Sequence, residues 1–581
     1  MRLLVAISVA FIFSFTSIAH ANEDWVAKSN SHTQKLLLAQ AEFSPESASS
    51  TGLEQFDEQI MDLAPKRYER MQKMRRDMLA YYQKALKKET DPRIRQDLEI
   101  LISSLEDGIE SAELSHDRMF GYINVPSMIF GTVNTMTQKH VSPERQATIV
   151  TRLNKYAGLA EGHRPFTELA MEATERRLKD KSLIGPFIIQ LENDIENGPR
   201  FIEGIRTTME ASGLEGWEPA HAALSKQFEE YLAWAEETVK PRARENFRLP
   251  AEIYADNLKN YGVTISPQQL IERATVTFMD LRVEMNAIAK EIAAERGFAS
   301  SDYRDVIREL KKEQYTSENI MPSYFEVLAE IEDIIEEHDI VSLPDREAQI
   351  RLASPAESAA LPVPHMRPPR LVNNQGEQGT FVLPLNNPNS DSDEQMDDFL
   401  NASFAWALTA HEARPGHEMQ FAAMVENGVS QARSLYAFNS ANVEGWALYA
   451  ETIVHPHFPK NGQLFALLSR AMRAARAFLD PMLNLGMITR EQAKEFLMTE
   501  VVLSEPMALQ EIDRYTFRAP GQANSYFFGY SSIQRIRTLT EIELRADFDE
   551  KAFHDFILAQ GLLPPDLLEK AVMEEFVPSQ K

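Results

Sequence analysis

The sequence predicts a mostly α-helical protein with one small β element near residues 370 to 386. Three observations predict it. Apolar residues recur at three- and four-residue spacing between charges over long runs, the first being QFDEQIMDLAPKRYERMQKMRRDMLAYYQKALKKE. Strand-like alternation is scarce, and no internal repeat of fixed period is visible. A single stretch after Leu343, rich in Pro, Gly and Asn, interrupts the helical texture.

The chain opens on what reads as an export signal at residues 1 to 21. Arg2 supplies a positive start, LLVAISVAFIFSFTSI an apolar run, and Ala19-His20-Ala21 a small-residue cleavage site. No other stretch approaches the length of a membrane span, so the expectation is a periplasmic or secreted protein with no membrane contact after cleavage. Cysteine is absent, which excludes disulfides and a lipid-bearing cysteine after the signal. Any metal must therefore be held by His, Asp or Glu, a donor set that suits catalytic zinc. The formal charge of −27 argues against nucleic acid and against anionic membrane surfaces as partners, because phosphate binding needs clustered Lys and Arg. Oligomeric state is not legible.

Residues 22 to 54 are polar and Ser-rich and read as a flexible leader. Residues 55 to 342 read as an N-terminal helical region, including HAALSKQFEEYLAWAEETV and PQQLIERATVTFMDLRVEMNAIAKEIAAERG. His116, His140, His163, His221 and His338 are scattered through it without partners at ligand spacing and read as ordinary histidines. Residues 343 to 581 form the C-terminal region. It begins with the Pro/Gly/Asn-rich segment, in which Thr380 to Leu385 is a plausible strand. So long a stretch without helix is more often a functional loop than a linker.

That segment leads into FAWALTAHEARPGHEMQFAAMV. His411-Glu412-Ala-Arg-Pro-Gly-His417 resembles the zinc-binding pattern HExxH with two residues inserted before the second histidine. In HExxH the histidines share one helix face. Here they are six apart, and at about 100° per residue they point roughly 120° away from each other on a regular helix. Pro415 lacks an N–H and clashes with the preceding turn, and Gly416 tolerates backbone angles closed to other residues. A helix that breaks at Pro415-Gly416 would return His417 to the side of His411. The alternative is a helix end carrying two ordinary histidines.

A third ligand should come from a following helix. NVEGWALYAETI offers Glu444 and Glu451, two turns apart on one face of an otherwise apolar helix. Two histidines and a downstream glutamate make one of the open zinc arrangements. Glu444 is the expected ligand, with Glu451 orienting a histidine or an arginine from behind. Glu412, next to a ligand but not itself one, is placed to act as general base and then acid.

HEARPGH, VEGWALYAE, LLSRAMRAARAFLD, APGQANSYFFGY and FHDFILAQGLLPPDLL, in that order, resemble the bacterial family called domain of unknown function 885. Its members look like a divergent, gluzincin-like branch of the HExxH-plus-Glu metallopeptidases. The resemblance implies a metallopeptidase-like fold of two helical lobes about a deep cleft. It implies zinc as cofactor and short peptides as substrate. It points to His411, His417 and Glu444 as ligands and Glu412 as catalytic residue, and adds Tyr526 and His554 as oxyanion-stabilising groups. It further implies Arg473 and Arg476 as substrate-binding groups and Asp480 as a supporting one. The chain departs from the family pattern at Met482, Asn484 and Glu418. A hydrolase of another amide or ester, and a non-catalytic exported binding protein with a decayed site, are the competing expectations.

Overall fold

The computed structural model of the 581-residue chain describes residues 12–138, 141–353, 357–358, 361, 363–384, 396–426 and 428–581, with side chains from Trp25 onward. Residues 1 to 11 of the expected export segment, His140, and part of the Pro/Gly/Asn-rich segment lie outside the described residues. Among the described residues no helix is long and apolar enough to cross a membrane.

The described chain is mostly helical, as its periodicity predicts, and separates into two compact units. One comprises Met1–Glu245, Arg370–Gln375 and Val425–Ala437; the other comprises Asn246–Pro369, Gly376–Met424 and Phe438–Lys581. The division near residue 245 differs from the one expected at residue 342. The composition change at Leu343 marks a switch from helix to sheet inside the second unit, not a border between units.

In the first unit the leader expected to be loose over 22 to 54 is ordered. Helix α1 (Ile12–Ala41) and helix α2 (Pro45–Thr51) cover most of it, and Leu36, Ala41, Ala48 and Leu53 are buried. Two of its serines, Ser29 and Ser49, are buried. Ser29 Oγ donates to Asp97, and Ser49 Oγ donates to Asp57 Oδ1 at 2.6 Å. A hydroxyl with a buried carboxylate to bond costs little to bury, so a polar composition here does not mean disorder. The main core of this unit gathers Val125, Ile129, Ile149, Leu153, Phe166 and Phe228.

In the second unit two long helices pack along each other, α3 (Pro267–Arg296) and, later in the chain, the helix Lys460–Asn484. Helix α3 starts at a reciprocal cap: Ser266 accepts from the Gln269 backbone and the Gln269 side chain accepts from the Ser266 N–H. The Pro/Gly/Asn-rich segment supplies three strands, β1 (Gln349–Leu352), β2 (His365–Arg367) and β3 (Thr380–Leu383). Their order is β1-β3-β2, with β1 parallel and β2 antiparallel to β3. The predicted strand is β3, the apolar centre; the edge strand β2 was not foreseen. Helices α4 (Phe404–Glu412), α5 (His417–Glu426), α6 (Ser440–Val454), α7 (Lys460–Asn484), α8 (Glu505–Asp513), α9 (Asn524–Leu544) and α10 (Glu550–Ala559) follow.

Candidate metal centre

Every residue of α4 is buried, so its polar members sit where water cannot serve them. The helix stops at Glu412. Ala413 leaves helical angles (φ −101°, ψ −105°), the Arg414–Pro415 peptide is cis, and α5 begins at His417. The break lies where the Pro-Gly pair predicts it, but Gly416 serves for a different reason. A Cβ at residue 416 would lie 2.0 Å from the His411 carbonyl oxygen and 2.4 Å from that of Ala410. The two chain segments touch there, and no side chain fits between them.

The break is braced from several sides. The Trp446 indole N–H donates to the Pro415 carbonyl at 3.0 Å. Arg414 donates to Glu418 at 3.1 Å and to the Arg346 carbonyl at 2.6 Å, and its charge also meets Glu332. Glu418 is buried and pairs with Arg346 at 2.6 Å as well. Glu418 thus feeds the brace.

The consequence is that His411 and His417, divergent on a regular helix, lie with ring centroids 4.8 Å apart and nearly perpendicular. Glu444, on α6, brings Oε2 to 3.7 Å from His411 Nε2 and 3.5 Å from His417 Nε2. One ligand atom from each of the three lies within 4.8 Å of the others. These spacings fit zinc. Donors about 2.0–2.1 Å from a tetrahedral ion stand about 3.3 Å from one another. Glu444 Oε2 is buried and has no hydrogen-bond partner among the described residues, which a carboxylate oxygen tolerates poorly unless a cation answers it.

Electrostatics point the same way. Burial opposes a charge on His411, yet the Glu444 and Glu451 carboxylates outweigh it and lift the ring to about 9. Burial likewise opposes the Glu444 charge, and the two imidazoles still hold that carboxyl well below the usual range. The spot between the three side chains favours positive charge. Glu451 stands behind His411, its Oε1 accepting from the Nδ1–H at 2.7 Å and so turning Nε2 toward Glu444. Glu412 Oε2 accepts from the Met366 N–H of edge strand β2 at 2.7 Å, and Oε1 carries no hydrogen bond among the described residues.

Tyr526 joins the group through a helix crossing. Helices α6 and α9 meet at Gly445 and Gly529. A Cβ on Gly529 would lie 1.7 Å from the Ala441 carbonyl oxygen, and one on Gly445 would lie 2.6 Å from the Gly529 Cα. This contact sets the Tyr526 ring 6.4 Å from that of His411 and nearly parallel to it. Its oxygen accepts from Arg514 at 3.0 Å. Burial raises its pKa, so the phenol keeps its proton.

Other expected site residues are committed elsewhere. His554 is fully buried with both nitrogens occupied: Nδ1 donates to the Ile340 carbonyl at 2.7 Å, and Nε2 faces the Tyr449 hydroxyl at 2.8 Å. It ties α10 to α6 and has no nitrogen left for an oxyanion. Arg476 is spent on Glu511, which it grips with two bonds of 2.8 and 2.7 Å, so it is not the substrate clamp expected of it. Arg473 donates to Ser469 Oγ at 2.8 Å, and its buried Nε has no hydrogen-bond partner among the described residues. Sequence reasoning missed Glu511 and Arg514.

Asp480 supports the site at one remove. It accepts from Tyr254 at 2.9 Å, from Asn484 at 3.0 Å and from the Gly521 N–H at 2.9 Å. Gly521 needs its missing side chain, at φ +93°, in the turn that leads to α9. Burial pushes Asp480 up to about 7 against these hydrogen bonds. The folded protein therefore holds this proton more tightly than the unfolded chain does. Its contribution to stability is greatest below about pH 4, declines as pH rises toward 7, and is then constant, a total of about 4 kcal/mol. Urea midpoints across that range should fall more steeply for the native protein than for Asp480→Asn. Equal slopes would refute this.

Comparisons with known proteins fit this architecture. A solved structure from Shewanella oneidensis, described as a "putative lipoprotein of unknown function", is similar with a TM-score of 0.72 at 19% identity, covering 94% of this chain and 98% of that one. The "putative lipoprotein" from Colwellia psychrerythraea is similar with a TM-score of 0.75 at 18% identity, covering 96% of this chain and 99% of that one. At these identities the likeness shows the fold alone. No curated protein matches the chain. The family described as "Bacterial protein of unknown function (DUF885)" matches residues 45–572, and the chain belongs to it.

Proposed function

We propose that the chain is an exported zinc-dependent hydrolase and, more narrowly, a peptidase acting on short peptides. One observation carries this reading: His411, His417 and Glu444 converge at ligand spacing beside a buried carboxylate, Glu412, that is not a ligand. The gluzincin-like kinship rests on the same set of two histidines, a distant glutamate and a neighbouring base. Zinc, when held by the three, supplies a Lewis acid and a hydrolytic water of lowered pKa.

The protein's own groups divide the remaining work. Glu412, steadied by the Met366 amide, takes a proton from the attacking water and returns it to the leaving amine. Tyr526, with its O–H proton not engaged among the described residues, donates a hydrogen bond to the developing oxyanion. Arg514, bonded to the phenol oxygen, keeps that group aimed. Export is supported by the apolar leading segment and by the lipoprotein description of the two similar structures.

The test is metal content and hydrolysis of the purified mature protein. The native protein should hold one zinc per chain, and His417→Ala should hold markedly less. Short peptides should be cleaved, with activity lost to a chelator and restored by zinc. Cleavage of aryl esters without peptides would make it another hydrolase, and zinc binding without hydrolysis of either would make it a binding protein.

A further inference from the structure

Three guanidinium groups surround one phenol. Arg476, Arg514 and Arg473 lie 4.7, 5.2 and 5.6 Å from the Tyr526 ring centroid. Among the described residues a single carboxylate is hydrogen-bonded into the cluster, Glu511, and it is largely used up. It takes both bonds of Arg476 and one from the Tyr515 hydroxyl at 2.7 Å, and stands 3.6 Å from Arg514. Arg473 has no carboxylate within ion-pair distance among the described residues, and its buried Nε lacks any partner. Glu451 and Glu444 act on Arg473 only from beyond ion-pair distance, and a buried guanidinium is costly unless its N–H groups are answered.

The three arginines are not equally available. Arg473 and Arg476 are nearly closed off, at 6% and 4% exposure. Arg514 keeps 23% of its side chain exposed, and its other bonds go to the neutral Gln522 and Tyr526. It also stands close to the metal residues. The His411 and Tyr526 rings are 6.4 Å apart and the Arg514 guanidinium is 5.2 Å from the latter, so it lies below about 12 Å from His411, the span of roughly three extended residues.

Resting on the peptidase reading above, we propose that Arg514, the most exposed of the three arginines, binds the free C-terminal carboxylate of the substrate. The protein is then a carboxypeptidase that cuts one or two residues from the chain end. A planar guanidinium suits a carboxylate through two parallel hydrogen bonds.

The test reads binding and needs no turnover. Zinc-loaded Glu412→Gln protein is titrated with three probes: N-acetyl-tetraalanine acid, its C-terminal amide, and an N-acetyl-trialanyl-glutamate C-terminal amide. The acid should bind at least about tenfold more tightly than either amide, and Arg514→Met should bring the acid down to the level of its amide. Equal binding of acid and amide, or no binding of any probe, overturns the proposal. So does an acid preference that survives Arg514→Met. A glutamate amide that binds as well as the acid moves the anion to a side chain and overturns the carboxypeptidase assignment. Should Arg514→Met fail to fold, the acid-to-amide ratio of the Arg514 protein and its reduction in Arg514→Lys still decide. Hydrolysis by the native enzyme is scored separately. Acid preference without cleavage sinks the peptidase reading and keeps the anion site, whereas cleavage without acid preference does the reverse.

Discussion

Glu412→Gln should leave zinc in place and lower kcat/KM for a short peptide by about 10²- to 10⁴-fold, the range over which a positioned acid–base group acts. The substitution is nearly isosteric. The amide oxygen of Gln can still accept from the Met366 N–H, so the tie to β2 survives. His411, His417 and Glu444 are untouched, and metal stoichiometry should stay at the native value. Only the capacity to accept a proton disappears. Metal analysis and peptide hydrolysis on the same preparation separate the two effects. Retained zinc with undiminished hydrolysis would remove Glu412 from the chemistry and would force a search for another base.

Much of the centre was legible because local rules govern it. A proline without an N–H next to a glycine announces a helix break, and the break lies between the two histidines. Glu444 and Glu451, seven apart in an apolar helix, announce one buried acidic face, and the structure uses both. The reason for Gly416 was not legible. Spacing shows that a residue must bend, whereas the need for an absent side chain comes from two carbonyl oxygens of α4 pressed against it.

What failed depended on partners distant in sequence. Arg476 on its helix face gives no hint that Glu511, 35 positions on, will claim both of its prongs. His554 in FHD looks like a reactive histidine until Ile340 and Tyr449 take its nitrogens. Ser29 looks like a leader residue until Asp97, 68 positions on, is brought beside it. Arg514 sits in RYTFR, a π-helical stretch with no motif, twelve residues before the tyrosine that it holds. Its one sequence signal was a cluster of arginines near a tyrosine in a largely apolar region.

Gly416→Ala should break up the candidate metal site, and cost about 3 kcal/mol or more of stability with it, beyond the usual range for overpacking. The new methyl would meet the His411 carbonyl oxygen at 2.0 Å, the Ala410 carbonyl oxygen at 2.4 Å and the His411 carbonyl carbon at 2.6 Å. All three are backbone atoms of the last turn of α4, so no rotamer change can make room. Relief requires α4 and the start of α5 to separate. His411 and His417 sit on those two segments, and a shift of about 1 Å is large against zinc–ligand tolerances of about 0.2 Å. Gly131→Ala is the matched control. A Cβ there meets nothing within 4 Å, and the residue lies inside the helix Val125–Met136. That change should be neutral or slightly stabilising, since Ala favours helix over Gly by about 1 kcal/mol. Zinc stoichiometry and thermal midpoint, measured on both variants, make the comparison. A Gly416→Ala protein that binds zinc and melts like the native one would mean that the two histidines are not held together by this contact, and the geometry on which the hydrolase reading stands would have to be set by something else.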